Sequence, residues 1–157
     1  MGVTGAVLLT EDMKDFVRLL ERHRVDYAVV GGFAVNYHGY PRLTQDFDIL
    51  VRGTIENGRR ISASLGDFGF GGVGLDARFF ARSGVVVHLG AEPNRIDLLT
   101  TLRGVEVSVL FSNRIRVCVE DIEMWMISLE DLIASKRASK RLRDLADAEE
   151  LERRSAD

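Results

Sequence analysis

Two aspartates separated by one residue, Asp46 and Asp48, are the most informative pair of chemically active side chains in the sequence. They begin an apolar segment that continues through Val51, a pattern typical of a β-strand. Residues two apart on a strand project from the same face and lie roughly 6.5–7 Å apart. Two ionised carboxylates placed in this way repel each other, so in a partly buried site one of them should take up a proton or bind a cation.

A third acid, Asp97, lies in the apolar segment Arg95–Leu99, where an unpaired charge would be costly. If this segment is a strand beside that of Asp48, the three carboxylates converge. Oxygen ligands of this kind suit Mg²⁺, or Mn²⁺. Two such cations could activate an attacking oxygen and neutralise a leaving phosphate. The alternative is structural, because aspartate is also common at turns and helix caps.

The glycine pair Gly31-Gly32 lies between a predicted strand and a predicted helix. Glycine lets backbone amides approach a ligand with no Cβ in the way. The N–H groups at the start of the helix would suit triphosphate oxygens. An ordinary tight turn is the alternative interpretation of this pair.

Hydrophobic periodicity and turn residues predict the elements that must position these side chains. The predicted helices lie at 12–23, 33–38, 54–65 and 105–113, and the predicted strands at 25–30, 47–51, 85–89, 95–99, 115–119 and 123–127. A helical tail follows over about residues 128–154. Strands interleaved with helices indicate an α/β or α+β fold, a mixed β-sheet flanked by helices, and we expect one domain over residues 1–157.

Polar and charged residues recur in the tail at three- to four-residue spacing, so they could share one face of a helix. They are Lys136, Lys140, Asp144 and Asp147, followed by the apolar Leu151. One interpretation is a solvated face on which Lys140 pairs with Asp144. The other is a functional Lys136, and the spacing does not decide between the two.

Composition and charge limit the classes of function. The formal net charge of −3 argues against a strongly basic surface dedicated to nucleic acid. The single cysteine, Cys118, excludes an intrachain disulfide and a zinc site with several thiolates. No apolar run reaches the roughly 18 residues of a membrane helix, and the first ten residues lack the basic region of a signal peptide. We therefore expect a cytoplasmic protein without a membrane partner.

The three histidines are scattered and show no metal-ligand spacing. They are His23, His38 and His88. Because His38 lies close to the glycine pair it could line a pocket, but a structural role is the favoured interpretation.

Taken together, these motifs resemble the signature of a known superfamily. Gly31-Gly32, then Arg42-x-Thr44-x-Asp46-x-Asp48, then Arg95-Ile96-Asp97 resemble the polymerase-beta-like nucleotidyltransferases. The tail, from Ser128-Leu-Glu-Asp131-Leu-Ile through Lys136 to Arg141-x-Arg143-Asp144-x-x-Asp147, resembles that of AbiE-type abortive-infection toxin nucleotidyltransferases and their bacterial relatives. The resemblance spans residues 25–151.

The resemblance implies a role for each matching residue. Asp46 and Asp48 would bind the metal ions, Mg²⁺ or Mn²⁺, and Asp97 would complete the metal site and act as general base on an attacking hydroxyl. The residues implied around the nucleotide are Gly31, Gly32, Arg42, Thr44, Lys136 and Asp144. The two glycines would contact the triphosphate through backbone, the lysine would reach the phosphates, the last aspartate would organise the site, and the arginine and threonine would contact the nucleotide.

The function implied by the resemblance is metal-dependent nucleotidyl transfer. A nucleoside monophosphate would move from a nucleoside triphosphate (NTP) to a hydroxyl acceptor on RNA, including tRNA, on a protein or on a small molecule, with release of pyrophosphate. The AbiE-type tail implies a toxin that acts with a cognate antitoxin. The alternative is a non-catalytic module of the same fold that binds a nucleotide or a protein partner.

Overall fold

The computed structural model describes residues 9–40, 44, 46–71 and 74–156. Arg42, for which the resemblance implies a contact with the nucleotide, lies outside the described residues. No helix in the described ranges combines the length and the apolar character needed to traverse a lipid bilayer.

Six strands in the described part of the chain form one mixed β-sheet. They are β1 (Tyr27–Val30), β2 (Asp46–Val51), β3 (Val86–Leu89), β4 (Arg95–Leu99), β5 (Ile115–Val119) and β6 (Ile122–Met126). Their spatial order is β3-β4-β2-β1-β6-β5. The pairs β1–β6 and β2–β4 are parallel, whereas β1–β2, β3–β4 and β5–β6 are antiparallel. The predicted mixed sheet is confirmed.

Seven α-helices accompany this sheet within the described ranges. They are α1 (Glu11–Arg22), α2 (Gly31–Tyr37), α3 (Ile55–Leu65), α4 (Ala77–Phe80), α5 (Val107–Asn113), α6 (Leu129–Arg137) and α7 (Leu142–Ser155). A short π-helical segment, Gly66–Phe70, continues α3. The four helices predicted before residue 128 correspond to α1, α2, α3 and α5. The single turn of α4 was not predicted, because four residues are too few to show a hydrophobic period.

Helix α1 shows how local sequence builds the core. The hydroxyl of Thr10 accepts a hydrogen bond from the backbone N–H of Met13 and caps the helix. Met13, Phe16, Val17 and Leu20 follow at three- and four-residue spacing and are all buried. Through this apolar stripe α1 packs against α3 and β6.

Strands β1 and β2 lie at the centre of the sheet, and all four residues of β1 are buried. In β2, Phe47 and Ile49 are fully buried on the face opposite to Asp46 and Asp48. Phe47 packs edge-to-face against Phe33 of α2, with ring centroids 5.0 Å apart. Burial of one face therefore fixes which way the two acids of β2 point.

The C-terminal tail consists of two helices, and this corrects the interpretation of a single helix face. Helix α6 ends at Arg137 and α7 begins at Leu142, and the two helices pack against each other. Ser139 stabilises the break, because its hydroxyl accepts from the backbone N–H of Arg141 and donates to Asp144. Lys140 and Asp144 therefore do not share one continuous helix.

Candidate metal and nucleotide site

Three carboxylates from two neighbouring strands converge at one point of the sheet. Asp48 of β2 is the register partner of Asp97 of β4, and Asp46 is the register partner of Arg95. Because β2 and β4 are parallel and in this register, all three acids project from the same face. Each acid offers an oxygen, and these oxygens lie within 4.8 Å of one another. The condition on which the convergence of the three acids depended, that the two strands are neighbours, is therefore met.

The close approach of these acids affects the protonation of Asp48. Burial, followed by the nearby charge of Asp97, raises the pKa of Asp48 to about 7. Asp97 is buried, whereas Asp46 and Asp48 are half-buried. In the absence of a cation, Asp48 therefore holds its proton over much of the range below neutral pH. The Asp-x-Asp spacing predicts that one of the two acids takes up a proton or binds a cation, and the raised pKa of Asp48 agrees with this prediction.

Arg95 brings a positive charge into contact with two of the acids. Its Nε donates to Oδ1 of Asp97 at 2.9 Å, and one terminal nitrogen donates to Oδ2 of Asp97 at 3.1 Å and to Oδ2 of Asp46 at 3.0 Å. The guanidinium thus bridges two of the three carboxylates. In the sequence Arg95 is recognisable only as part of a motif, because its contact with Asp46 depends on the strand register.

His88 also contacts the acid cluster, and the sequence patterns did not predict this contact. It is the register partner of Asp97 in the antiparallel β3–β4 pair, and its Nδ1 lies 2.7 Å from Oδ1 of Asp97. Its side chain is 56% exposed. A signal that could have found it is the short connection between strands β3 and β4, which favours antiparallel pairing, and in this pair the two residues face each other.

Gly31 is required by the position of Asp48. Its φ is +69°, and a Cβ at this position would collide with Oδ2 of Asp48 and lie 2.9 Å from its Cγ. Gly31 therefore both adopts a left-handed backbone conformation and leaves room for a carboxylate. Gly32 is buried within α2. Thr44 donates its hydroxyl to the backbone oxygen of Asp46 at 3.2 Å and so helps to fix the start of β2.

The tail contributes a buried ion-pair network. The ammonium of Lys136 lies 3.1 Å from Asp144 and 3.3 Å from Asp147, and all three side chains are almost fully buried. Asp144 also accepts hydrogen bonds from Ser139 at 2.7 Å and Arg141 at 2.9 Å. Burial alone would raise the pKa of Asp144, but these hydrogen bonds and the charge of Lys136 outweigh it and lower the pKa to about 2.

A cavity of about 570 Å³ is bordered by the acid cluster, the glycine pair and the tail residues. Every predicted site residue that the structure describes lines it: Gly31, Gly32, Thr44, Asp46, Asp48, Asp97, Lys136 and Asp144. This volume lies within the range of roughly 300–1,000 Å³ that is typical of small-molecule sites. Residues far apart in sequence thus meet around a space large enough for a nucleotide.

The acid cluster fits a hard divalent cation. All of its donors are carboxylate oxygens, which Mg²⁺ and Mn²⁺ prefer. Oδ1 of Asp46 is buried and has no hydrogen-bond partner among the described residues, an arrangement that is costly without a ligand. We therefore regard Asp46, Asp48 and Asp97 as the residues that would hold such an ion.

His38, in contrast, has a structural role, which is the interpretation favoured from the sequence. Its Nε2 lies 2.8 Å from the backbone oxygen of Ile127, which joins the end of α2 to the segment after β6. Burial lowers the pKa of His38, which favours the neutral ring.

Comparison with known proteins bears on the fold. No family model matches the sequence, and no curated protein matches it. A solved structure, that of the candidate nucleotidyltransferase TM1012 from Thermotoga maritima, is similar, with a TM-score of 0.55 over 91% of this chain and 89% of that one. The sequences are 15% identical, so this likeness concerns the fold alone. The chain therefore has a nucleotidyltransferase-like fold.

Proposed function

We propose that this chain is a metal-dependent nucleotidyltransferase that moves a nucleoside monophosphate from an NTP to a hydroxyl acceptor. The main observation in its support is that carboxylate oxygens of Asp46, Asp48 and Asp97 lie within 4.8 Å of one another. These acids line a cavity large enough for a nucleotide. The similarity of the fold to a candidate nucleotidyltransferase supports the same proposal.

The three acids would hold Mg²⁺ or Mn²⁺, which when bound polarises the α-phosphate and compensates the charge on the leaving group. The remaining roles belong to the protein. Arg95 and His88 orient the carboxylate of Asp97 through hydrogen bonds of 2.7–3.1 Å. An oriented carboxylate on the cavity wall is suited to act as a general base.

In the proposed reaction, Asp97 takes the proton of the acceptor hydroxyl while the hydroxyl oxygen forms a bond to the α-phosphorus. The bond from that phosphorus to the oxygen bridging to the β-phosphate breaks, and pyrophosphate leaves with the electron pair. The cavity positions the two reactants, and such positioning supplies much of the catalysis in phosphoryl transfer.

A transfer assay tests this proposal. The protein is incubated with each α-labelled NTP, Mg²⁺ or Mn²⁺ and a cell extract, and the product is then treated with ribonuclease or protease to classify the acceptor. We expect labelling by the wild type and none by Asp46→Asn or Asp48→Asn. Asp15→Asn is the matched control, because Asp15 is an exposed residue paired with Arg18 outside the cavity. Equal labelling by wild type and Asp48→Asn would refute the proposal.

The same proteins distinguish a non-catalytic module from an enzyme. Calorimetry with ATP and Mg²⁺ measures binding independently of turnover. Binding that requires Asp48 but yields no labelled product with any acceptor would favour the binding module, which has the same fold and the same residues.

The role of toxin, with an antitoxin as partner, is a further part of the proposal and is supported by the resemblance of the tail. Controlled expression in a bacterial host tests it. We expect growth arrest by the wild type and normal growth with Asp46→Asn, and relief of the arrest by a neighbouring gene would identify the antitoxin. Normal growth with the wild type would argue against a toxin.

A further inference from the structure

The cavity wall carries positive as well as negative side chains. Five cationic residues within the described ranges line it: Arg103, Lys136, Lys140, Arg141 and Arg143. Two of them already have partners, since Lys136 lies between Asp144 and Asp147, and Arg141 donates to Asp144. Lys136, which the resemblance assigns to the phosphates, therefore serves as the ion-pair link between α6 and α7.

The other three cations are Arg103, Lys140 and Arg143. Each is exposed, and none forms an ion pair with a residue in the described ranges. Their charges are thus left for an anion that enters the cavity. Of these three residues, Arg103 lies in a turn whose backbone position is fixed by packing.

Arg103 lies in a tight turn between β4 and α5. Leu102 and Val105, on either side of it, form an isolated β-bridge, and both side chains pack against the hydrophobic core. The turn follows β4, the strand of Asp97, by only a few residues. The backbone of Arg103 is therefore anchored on both sides and tied to the strand that carries one of the acids.

Gly104 fits this turn closely against α6. Its φ is +82°, and a Cβ here would collide with that of Ala138 and lie 3.1 Å from the backbone oxygen of Ala134. Only glycine combines this conformation with such a close approach. The turn therefore packs closely against the end of α6, and Arg103 lies at the cavity wall.

We infer that Arg103 binds the polyphosphate chain of the NTP. This inference rests on the proposed function and assigns to Arg103 the role that the resemblance gives to Lys136. A guanidinium offers a planar fork of N–H donors that matches two phosphate oxygens at once. The acids would hold cations at one part of the wall. An arginine without an ion-pair partner at another part would bind the phosphate charge that extends beyond those cations.

Binding of inorganic tripolyphosphate with Mg²⁺, measured by calorimetry, tests the inference without a base or an acceptor. We expect Arg103→Ala to weaken this binding roughly tenfold to a hundredfold, the range for a hydrogen-bonded charge. Arg103→Gln should weaken it as well, and Arg103→Lys less, because lysine keeps the charge but not the fork. Arg59→Ala is the matched control, since Arg59 is exposed on α3 and does not line the cavity.

Thermal unfolding of each variant shows whether it is folded, and Arg103→Gln and Arg103→Lys serve if the alanine variant is not. If Arg103→Ala and Arg103→Gln bind tripolyphosphate as the wild type does while the wild type transfers label, the inference is wrong and the proposed function stands. If these variants lose affinity for adenosine rather than tripolyphosphate, the residue contacts the base and the inference is also wrong. If the wild type binds neither ATP nor tripolyphosphate with Mg²⁺, both fail.

Discussion

Asp48 and Asp97 are direct register partners on parallel strands, and their carboxylates project side by side from one face of the sheet. The arrangement is electrostatically unfavourable when both are ionised, and the raised pKa of Asp48 reflects it. A backbone register that places like charges together is stabilised only if a proton or a cation compensates them. The first prediction follows from this competition.

In metal-free protein we expect stability to fall as the pH rises from about 4 to about 7. The pKa of Asp48 is about 7 in the folded protein against an ordinary value of 3.8. The folded state therefore binds this proton more tightly, and the stabilisation is present below the unfolded pKa and is lost as the pH rises through the folded pKa. Thermal unfolding in a chelator measures this, and in Asp48→Asn the slope over this window should be smaller.

The second half of this prediction is that Mg²⁺ restores the stability lost near neutral pH, because the cation replaces the proton on the acids. Calorimetry in two buffers of different ionisation enthalpy should detect proton release on Mg²⁺ binding at pH 6 and little at pH 9. Binding without proton release at either pH, or an identical pH slope in Asp48→Asn, would contradict this account.

Gly31→Ala should disrupt the acid cluster. The new Cβ would collide with the carboxylate of Asp48, and the positive φ adds backbone strain of about 1–2 kcal/mol. We therefore expect a less stable protein whose melting temperature no longer rises on addition of Mg²⁺. Gly39→Ala is the matched control, because Gly39 also has a positive φ but a Cβ added there would meet no atom within 4 Å. A normal response to Mg²⁺ in Gly31→Ala would show that the close approach is dispensable.

The acid cluster could be predicted from sequence because its signals are local. Asp46 and Asp48 alternate with buried residues on β2, and Asp97 interrupts an apolar strand, so each strand reveals which residues share a face. The adjacency of the two strands does not follow from these signals and had to be assumed. The structure supplies it through the parallel β2–β4 pair.

Arg95 and His88 could not be assigned in the same way. Their contacts with Asp46 and Asp97 depend on the register between neighbouring strands, which single-sequence patterns do not specify. Spacing among the histidines carries no information on such contacts. The relevant relationship is between one histidine and an acid on the neighbouring strand.

The tail shows a different limit of periodicity. Charged residues keep three- to four-residue spacing across the break between α6 and α7, so the pattern alone indicates one long helix. The helix breaks at Ser139 because the side chain of this residue competes locally with the backbone for hydrogen bonds. As a result, Lys136 reaches Asp144 from a separate helix.

This link between the helices predicts how the tail responds to acid. The pKa of Asp144 is about 2 when folded, against an ordinary 3.8. A lowered pKa contributes stability above the unfolded value that is lost as the pH falls through the folded value. We expect the wild type to lose stability between about pH 4 and pH 2, and Asp144→Asn to show less of this loss and to be less stable at pH 7. Acid titration followed by circular dichroism measures both.

Lys136→Met should destabilise the protein by about 3–5 kcal/mol, because it leaves two buried carboxylates without their ammonium partner. Lys140→Met is the matched control: Lys140 is exposed on the same wall, and the change should stay within about 0.5 kcal/mol. Denaturant unfolding gives both values. Equal stability of the two variants would mean that the network does not hold α6 to α7.

Arg95 already neutralises part of the charge of two carboxylates that would hold a metal ion, those of Asp46 and Asp97. The guanidinium donates to both oxygens of Asp97 and to Oδ2 of Asp46, so a cation held by these two acids would be repelled by the positive charge of Arg95. Arg95→Gln removes the competing charge but keeps a hydrogen-bonding side chain. We therefore expect the metal-free variant to be less stable at pH 8 and to bind Mg²⁺ severalfold more tightly than the wild type.

Titration of the melting temperature with Mg²⁺ separates these two effects of Arg95→Gln. The wild type should show the higher melting temperature without metal, and the variant the larger rise on addition of Mg²⁺, because a ligand that binds more tightly stabilises the folded state more at a given concentration. Arg18→Gln is the matched control, since Arg18 pairs with Asp15 at an exposed position outside the cavity. It should match the wild type in both respects. Weaker Mg²⁺ binding by Arg95→Gln would mean that the arginine supports the metal site by orienting Asp97, and that it does not compete with the ion.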